Sequence, residues 1–161
     1  MTIASFMHVS EARYLEDTAG LAGAMPVDGI PLPKRATAGS AGYDFVSPAD
    51  VTIAPGAAAL IPTGIRARME PGWVLILFPR SSLGFKYGIR LCNTAGIIDS
   101  DYFSAKNEGH ILVKLKNDGD TPVTIAKGDR FCQGLFLPYG TAEEDNNFAE
   151  RTGGIGSTGV Q

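Results

Sequence analysis

This sequence is poor in the residues that build metal centres and disulfide frameworks. It holds two cysteines and two histidines in 161 residues. Cys92 and Cys132 stand 40 residues apart, each in an apolar run, and form neither a C-x-x-C pair nor a zinc pattern. They are expected to be buried free thiols in a reducing cytoplasm. His8 and His110 have no second His or Cys at ligand spacing, so both are expected to be structural or solvated. No apolar run reaches the ~18 residues of a membrane span. The N-terminus has no basic stretch leading into an apolar one, so no signal peptide is expected. Positive charge is scarce too: 14 Lys and Arg against 17 Asp and Glu leave a net charge of −3. Nonspecific nucleic-acid binding needs a basic face and is not expected. A small anionic ligand is not excluded, because a few placed arginines and backbone N–H groups can hold phosphate locally.

What is plentiful is turn chemistry. The 20 glycines and 10 prolines punctuate short apolar segments. Val51-Thr52-Ile53 stops at Pro55-Gly56, Ala57 to Ile61 at Pro62-Thr63-Gly64, and Ile65 to Met69 at Glu70-Pro71-Gly72. Trp73 to Phe78 is a continuous apolar run, expected to be covered on both faces. His110 to Lys116 alternates, with Ile111, Val113 and Leu115 on one face and Leu112, Lys114 and Lys116 on the other. Val123 to Ala126 and Arg130 to Tyr139 read as closing strands. Strands about ten residues apart predict an all-β sandwich or barrel. The length suits one domain that hides about two thirds of its unfolded surface. Residues 1–33 are expected to be a strand (Ile3 to Val9) and a surface loop (Asp17 to Pro33), residues 34–140 the β core, and residues 141–161 a glycine-rich flexible arm.

Five stretches could carry chemistry. Asn93 to Tyr102 joins a turn-prone Thr-Ala-Gly to Asp99 and Asp101, which an extended chain would point the same way. Alone it reads equally as a solvated acidic hairpin. Pro79-Arg80-Ser81-Ser82-Leu83-Gly84 offers either a serine N-cap or an anion site. Asp44, in Ala41-Gly42-Tyr43-Asp44, reads first as a turn carboxylate. Gln133 is an amide inside an apolar strand and must find a backbone or ligand partner. Arg151 to Gly159 lacks the lysine and following helix of a Walker loop. It is either a terminal arm or a lid over an anion.

Taken together and in order, these five stretches, with Gly128-Asp129-Arg130-Phe131-Cys132-Gln133 as the fourth, resemble the trimeric dUTP diphosphatase (dUTPase) family from about Leu32 to Gly159. The resemblance implies an all-β, jelly-roll-like β-clip barrel or sandwich assembled as a homotrimer. Its active sites lie between subunits, each borrowing a neighbour's C-terminal arm. It implies hydrolysis of dUTP to dUMP and diphosphate with Mg²⁺, which keeps uracil out of DNA and supplies dUMP for thymidylate synthesis. Asp99 would be the catalytic base and bond the 3′-hydroxyl. Tyr102 would lie under the deoxyribose and exclude a 2′-hydroxyl. The backbone from Asn93 through Gly96, Ile97 and Ile98 would read the uracil edge, against which cytosine would leave polar groups unpaired. Arg80, Ser81 and Ser82 would hold the α and β phosphates, Gln133 the β phosphate, and Arg151 the γ phosphate. Leu112, Ile155 and Gly156 complete the implied substrate contacts, and Asp44 would act on Mg²⁺ through water.

The chain departs from the family pattern twice. Ile155 stands where the arm usually carries an aromatic residue. The usual short Asp-Tyr-x-Gly turn is lengthened to run from Tyr102 to Gly109. Two rivals share the fold: a dCTP deaminase, which needs a glutamate that the strand from His110 to Lys116 does not offer, and a non-catalytic regulator that binds a protein through the extra loop.

Overall fold

The fold was obtained as a computed structural model, which describes residues 2–145 and 153–154. The turn punctuation acts as expected. Gly56 and Gly72, each following a proline, take φ of 73° and 85°, a left-handed conformation that only glycine adopts without strain.

The strands are β1 (Ala4–His8), β2 (Lys34–Arg35), β3 (Tyr43–Val46), β4 (Val51–Ile53), β5 (Ala58–Pro62), β6 (Ile65–Met69), β7 (Trp73–Pro79), β8 (Ile89–Leu91), β9 (Gly96–Ile98), β10 (Leu112–Asn117), β11 (Val123–Ile125) and β12 (Arg130–Pro138). Two short helices, α1 (Glu11–Asp17) and α2 (Ser81–Tyr87), and 3₁₀ turns at Val27–Gly29 and Ser100–Ser104 interrupt them. The all-β class expected from the spacing therefore holds. Among the described residues the strands form a five-stranded sheet in the order β2-β3-β12-β7-β9, a three-stranded sheet β5-β10-β8, and the pairs β1-β6 and β11-β4. No helix among them is long and apolar enough to cross a membrane.

Alternation sets the core. On β10 Val113 and Leu115 are buried while Lys114 is exposed. On β4 and β11 the outer residues of each Val-Thr-Ile triplet face inward and the threonines face out. Ile61, Leu75, Ile111, Leu115 and Phe131 are fully buried, each contributing about 1.5–3 kcal/mol by leaving water. Gly134 on β12 lies where a Cβ would fall 2.7 Å from Leu75 and 3.2 Å from Phe45, so glycine lets β7 and β3 close on β12.

Two sequence expectations need correction. The run Trp73 to Phe78 is not covered on both faces: Leu75 and Leu77 are buried, but Val74 and Ile76 are half-buried and Phe78 is 36% exposed. The stretch Asp17 to Pro33 is not only surface loop, since Thr18 and Ile30 are buried in it, and a helix that was not expected precedes it. α1 buries Tyr14, and Ile30 is 2% exposed against the core. Ser10 caps α1 by accepting from the Arg13 amide at 3.2 Å.

Candidate functional site

The stretch Asn93 to Tyr102 is not a two-stranded hairpin. β8 pairs with β10 and β9 pairs with β7, so the intervening turn carries the chain from one sheet to another. Thr94 takes φ of 66° there, an uncommon conformation for a β-branched residue and a mark of local strain. The Thr94 amide donates to the Leu91 carbonyl at 3.2 Å and the Ala95 amide to the Asn93 carbonyl at 2.7 Å. Gly96 then seats β9 on β7: a Cβ there would fall 3.1 Å from Leu77 Cβ, so that side chain would have to give way.

This crossing opens a cavity of about 330 Å³ between the two sheets, and Asn93, Gly96, Ile97, Ile98, Tyr102 and Leu112 all line it. The volume is within the ~300–1,000 Å³ of small-molecule sites. Cys92 and Lys114 line it too and were not anticipated, although Lys114 shares the β10 face of Leu112. β9 ends its sheet, so one edge of its backbone stands outside the ladder, where it can serve a ligand.

Extended geometry stops at Ile98. Asp99, at φ −76° and ψ 158°, is the N-cap of the 3₁₀ turn Ser100–Ser104. That turn advances about three residues per revolution, so Asp99 and Asp101 are not held to one face as an extended chain would hold them. Asp99 is exposed and lies in sequence between the lining residues Ile98 and Tyr102. Tyr102 is 4% exposed. Its hydroxyl donates to the His110 carbonyl at 2.8 Å and accepts from Asn107 Nδ2 at 2.7 Å.

A second cluster gathers the other motifs. Asp44 Oδ1 lies 3.4 Å from Arg80 Nε, and Oδ2 accepts from Arg130 Nη1 at 3.2 Å. The carboxylate side chain is only 9% exposed, so it bridges two guanidiniums and is not the turn carboxylate of the first reading. Arg130 belongs to a recognised motif, but nothing in the sequence assigned it this contact. Gln133 stands opposite Asp44 in the register of β12 on β3. Its Nε2 reaches the Pro79 carbonyl only at 3.5 Å, a weak bond. Gly42 makes room for the amide, since a Cβ there would come 2.7 Å from Gln133 Oε1. Of the two readings of this stretch, the serine N-cap does not form: Arg80 is the N-cap of α2 and no side chain caps it. Ser81 and Ser82 are exposed in the first turn.

Arg80, Ser82 and Arg130 line a cavity of about 510 Å³ that shares no lining residue with the first. The chain thus brings together the hairpin group and, separately, the Arg-Ser and Asp44 group. Arg151, Ile155 and Gly156 lie outside the described residues. Among the described residues no group of three His, Cys, Asp or Glu could hold a metal ion.

The remaining titratable groups are structural. His110 is fully buried, as the structural reading allowed. Both cysteines are free. Burial in the core pushes the Cys132 thiol up to about 12, whereas Cys92 is half-buried at the cavity wall.

An all-β protein with a largely apolar pocket, flanked in sequence by the Asp99 carboxylate, and a separate cationic patch has the divided equipment of a nucleotide-binding protein: one part for a base and sugar, one for phosphates. The family model for dUTPase matches residues 28–159, and this chain belongs to the dUTPase family. It is 48% identical over 135 residues to the deoxyuridine 5'-triphosphate nucleotidohydrolase of Lactococcus lactis, covering 82% of this chain and 90% of that protein. The enzyme of the same name from Pseudomonas entomophila is 36% identical over 163 residues, 96% of this chain and all of that one. The crystal structure of dUTPase from Streptococcus mutans superposes with a TM-score of 0.68 at 36% identity, covering 86% of this chain and 98% of that one. The fold is accordingly the all-β jelly roll of this family.

Proposed function

We propose that this protein hydrolyses dUTP to dUMP and diphosphate by water attack on the α-phosphorus. Family membership carries the proposal, and the cavity at β9 supports it with specific geometry. The outer backbone edge of β9, Gly96, Ile97 and Ile98, together with Asn93, offers donors and acceptors to the uracil edge. Leu112 supplies an apolar wall. Tyr102, immobilised at its hydroxyl, is the floor under the deoxyribose. Asp99, between these lining residues and exposed to solvent, takes the proton of the attacking water and bonds the 3′-hydroxyl. A carboxylate does this within one hydrogen bond of the water.

The phosphates belong to the second cluster. Arg80, Ser81 and Ser82 bind the α and β phosphates, Gln133 the β phosphate, and Arg151 the γ phosphate. Ile155 and Gly156 cover the base from the arm. Because Arg80 and Ser82 line a cavity that shares no residue with the pocket at β9, a site completed by a neighbouring subunit fits this chain. The exposed apolar residues Ile97, Phe78, Phe85, Leu137 and Tyr139 suit subunit packing, and a homotrimer with shared sites satisfies both facts. The organisation follows: residues 34–140 form the core, residues 1–33 brace it, and residues 141–161 are the closing arm.

The donor set suits Mg²⁺ only in company with substrate. Mg²⁺ keeps several waters and uses few carboxylates besides phosphate oxygens, and here a single carboxylate, Asp44, is held by two arginines. Asp44 orders metal-bound water and does not replace it. The ion, when bound, supplies neutralisation of the polyphosphate charge. Free thiols at Cys92 and Cys132 suit a reducing cytoplasm.

The test is release of diphosphate from dUTP by the purified chain. Release from dUTP with none from dCTP and no ammonia is expected. Ammonia from dCTP would make the protein a deaminase. Tight dUTP binding without release would make it a regulator.

A further inference from the structure

Residues 103–108, which lengthen the turn between Tyr102 and Gly109, have no place in that reading, yet they do not stand off the body. Arg66 lies over the Phe103 ring, 3.7 Å from its centroid, and donates from Nη2 to the Phe103 carbonyl at 2.6 Å. At the other end the Glu108 carboxylate accepts from the Ser10 amide at 2.8 Å and from the Ser10 hydroxyl at 2.6 Å. These anchors fix the loop on either side of Asn107.

Asn107 turns inward. Its Nδ2 donates to the Tyr102 hydroxyl at 2.7 Å, while that hydroxyl gives its own proton to the His110 carbonyl at 2.8 Å. A phenol has one proton to give, so both roles of this oxygen are set by the loop and the strand beyond it. Gly154 of the arm lies against the same amide: a Cβ there would fall 3.3 Å from Asn107 Cγ and 3.4 Å from Oδ1. Asn107 Oδ1 is buried and accepts no hydrogen bond among the described residues.

We propose that Asn107 is a positioning residue for sugar selection: it acts through the Tyr102 hydroxyl to hold the ring where a 2′-hydroxyl would collide, and the arm packs on the same amide. The inference rests on the dUTP reading above. A staple that merely stabilised the loop would lower activity on every nucleotide alike. A positioning residue changes the ratio of kcat/KM for dUTP over UTP.

The experiment measures that ratio for the wild type, Asn107→Ala, Tyr102→Phe and the double variant. The near-isosteric Asn107→Asp, which lacks the donor, serves if the alanine variant folds poorly. Asn107→Ala is expected to lower the ratio about five- to tenfold, the effect of one hydrogen bond. It should do so by improving UTP turnover relative to dUTP. Tyr102→Phe should lose a similar factor, and the double variant no more than either, because both act through one oxygen. An unchanged ratio in Asn107→Ala and Asn107→Asp overturns the inference, as does a full additional loss on top of Tyr102→Phe. If the wild type releases no diphosphate from dUTP, the functional reading itself falls. Calorimetric binding of dUMP against UMP then supplies the sugar preference of the same variants. A preference that Asn107→Ala and Asn107→Asp leave unchanged overturns the inference there too, and a reduced one upholds it.

Discussion

The Nε2 atom of His110 accepts a hydrogen bond from the Gly64 amide at 2.8 Å, which fixes the ring as a neutral imidazole protonated at Nδ1. That proton is donated to Asp17 Oδ2 at 2.5 Å, joining the end of α1 to the segment that carries the Tyr102 anchor. Burial lowers the His110 pKa below its ordinary 6.5, with Asp17 opposing the shift in part. A second proton would have to sit on Nε2, against the Gly64 N–H.

Stability should therefore fall in mild acid. The unfolded imidazole binds a proton near pH 6.5 while the folded one does so only at lower pH. Between those values the unfolded chain holds more protons, so stability rises with pH and is fully present above the unfolded value. A Tm series from about pH 8 to pH 5 should stay level at first, then drop as pH falls through 6.5. His110→Gln should have a lower Tm at neutral pH and a shallower decline. A wild-type Tm that does not change across that range would contradict the assignment.

Asp99 and Asp101 should separate. Asp99→Asn is expected to lower kcat by about 10²–10⁴, the range for loss of a general base, while KM for dUTP stays within a few-fold. Asp101, inside the 3₁₀ turn, should act on stability or assembly when changed to Asn. Kinetics and thermal unfolding of both variants decide the matter, and matching behaviour would refute the division of roles.

Asp44→Asn should shift metal dependence without unfolding the chain, because the carboxamide has the carboxylate's shape and its single oxygen still accepts from one of the two arginines, Arg80 or Arg130. Loss of a group that orders metal-bound water typically costs about 10–100-fold in metal affinity. The Mg²⁺ concentration for half-maximal diphosphate release should rise by at least about tenfold, and excess EDTA should slow the wild type as well. A titration curve identical to wild type would remove Asp44 from the metal's surroundings.

Ile155→Phe should improve the enzyme. Stacking of an aromatic ring on a base is worth about 1–3 kcal/mol, and about 1.4 kcal/mol is tenfold in affinity. KM for dUTP should fall about tenfold, with kcat equal or higher. Unaltered constants would mean that the arm does not cap the base at this position.

Much of this protein was legible because its signals are local. Pro-Gly turns and alternating triplets such as Val51-Thr52-Ile53 declare strands wherever they occur. The lining residues Asn93, Gly96, Ile97, Ile98, Tyr102 and Leu112 followed from ordered motifs and meet in one cavity. What the sequence hid depends on pairing across distance. Nothing between Leu91 and Gly96 announces a change of sheet, and a D-x-D pair looks the same in a strand as in a 3₁₀ turn. The Asp44–Arg130 contact spans 86 residues and the Ser10–Glu108 contact 98, and neither has a spacing rule. Asn107 was invisible for the same reason: only the folded loop shows which way its amide points.

The two thiols differ sharply in their chemistry. Cys132 is fully buried, and with its thiol pushed up to about 12 it offers almost no thiolate to an electrophile. Cys92 opens onto the cavity between the sheets. A maleimide or a spin label should therefore react first at Cys92, at the wall of the pocket. If a nucleotide fills the space in front of Cys92, as proposed, alkylation of that thiol should slow, and the unmodified protein would carry its own reporter of occupancy.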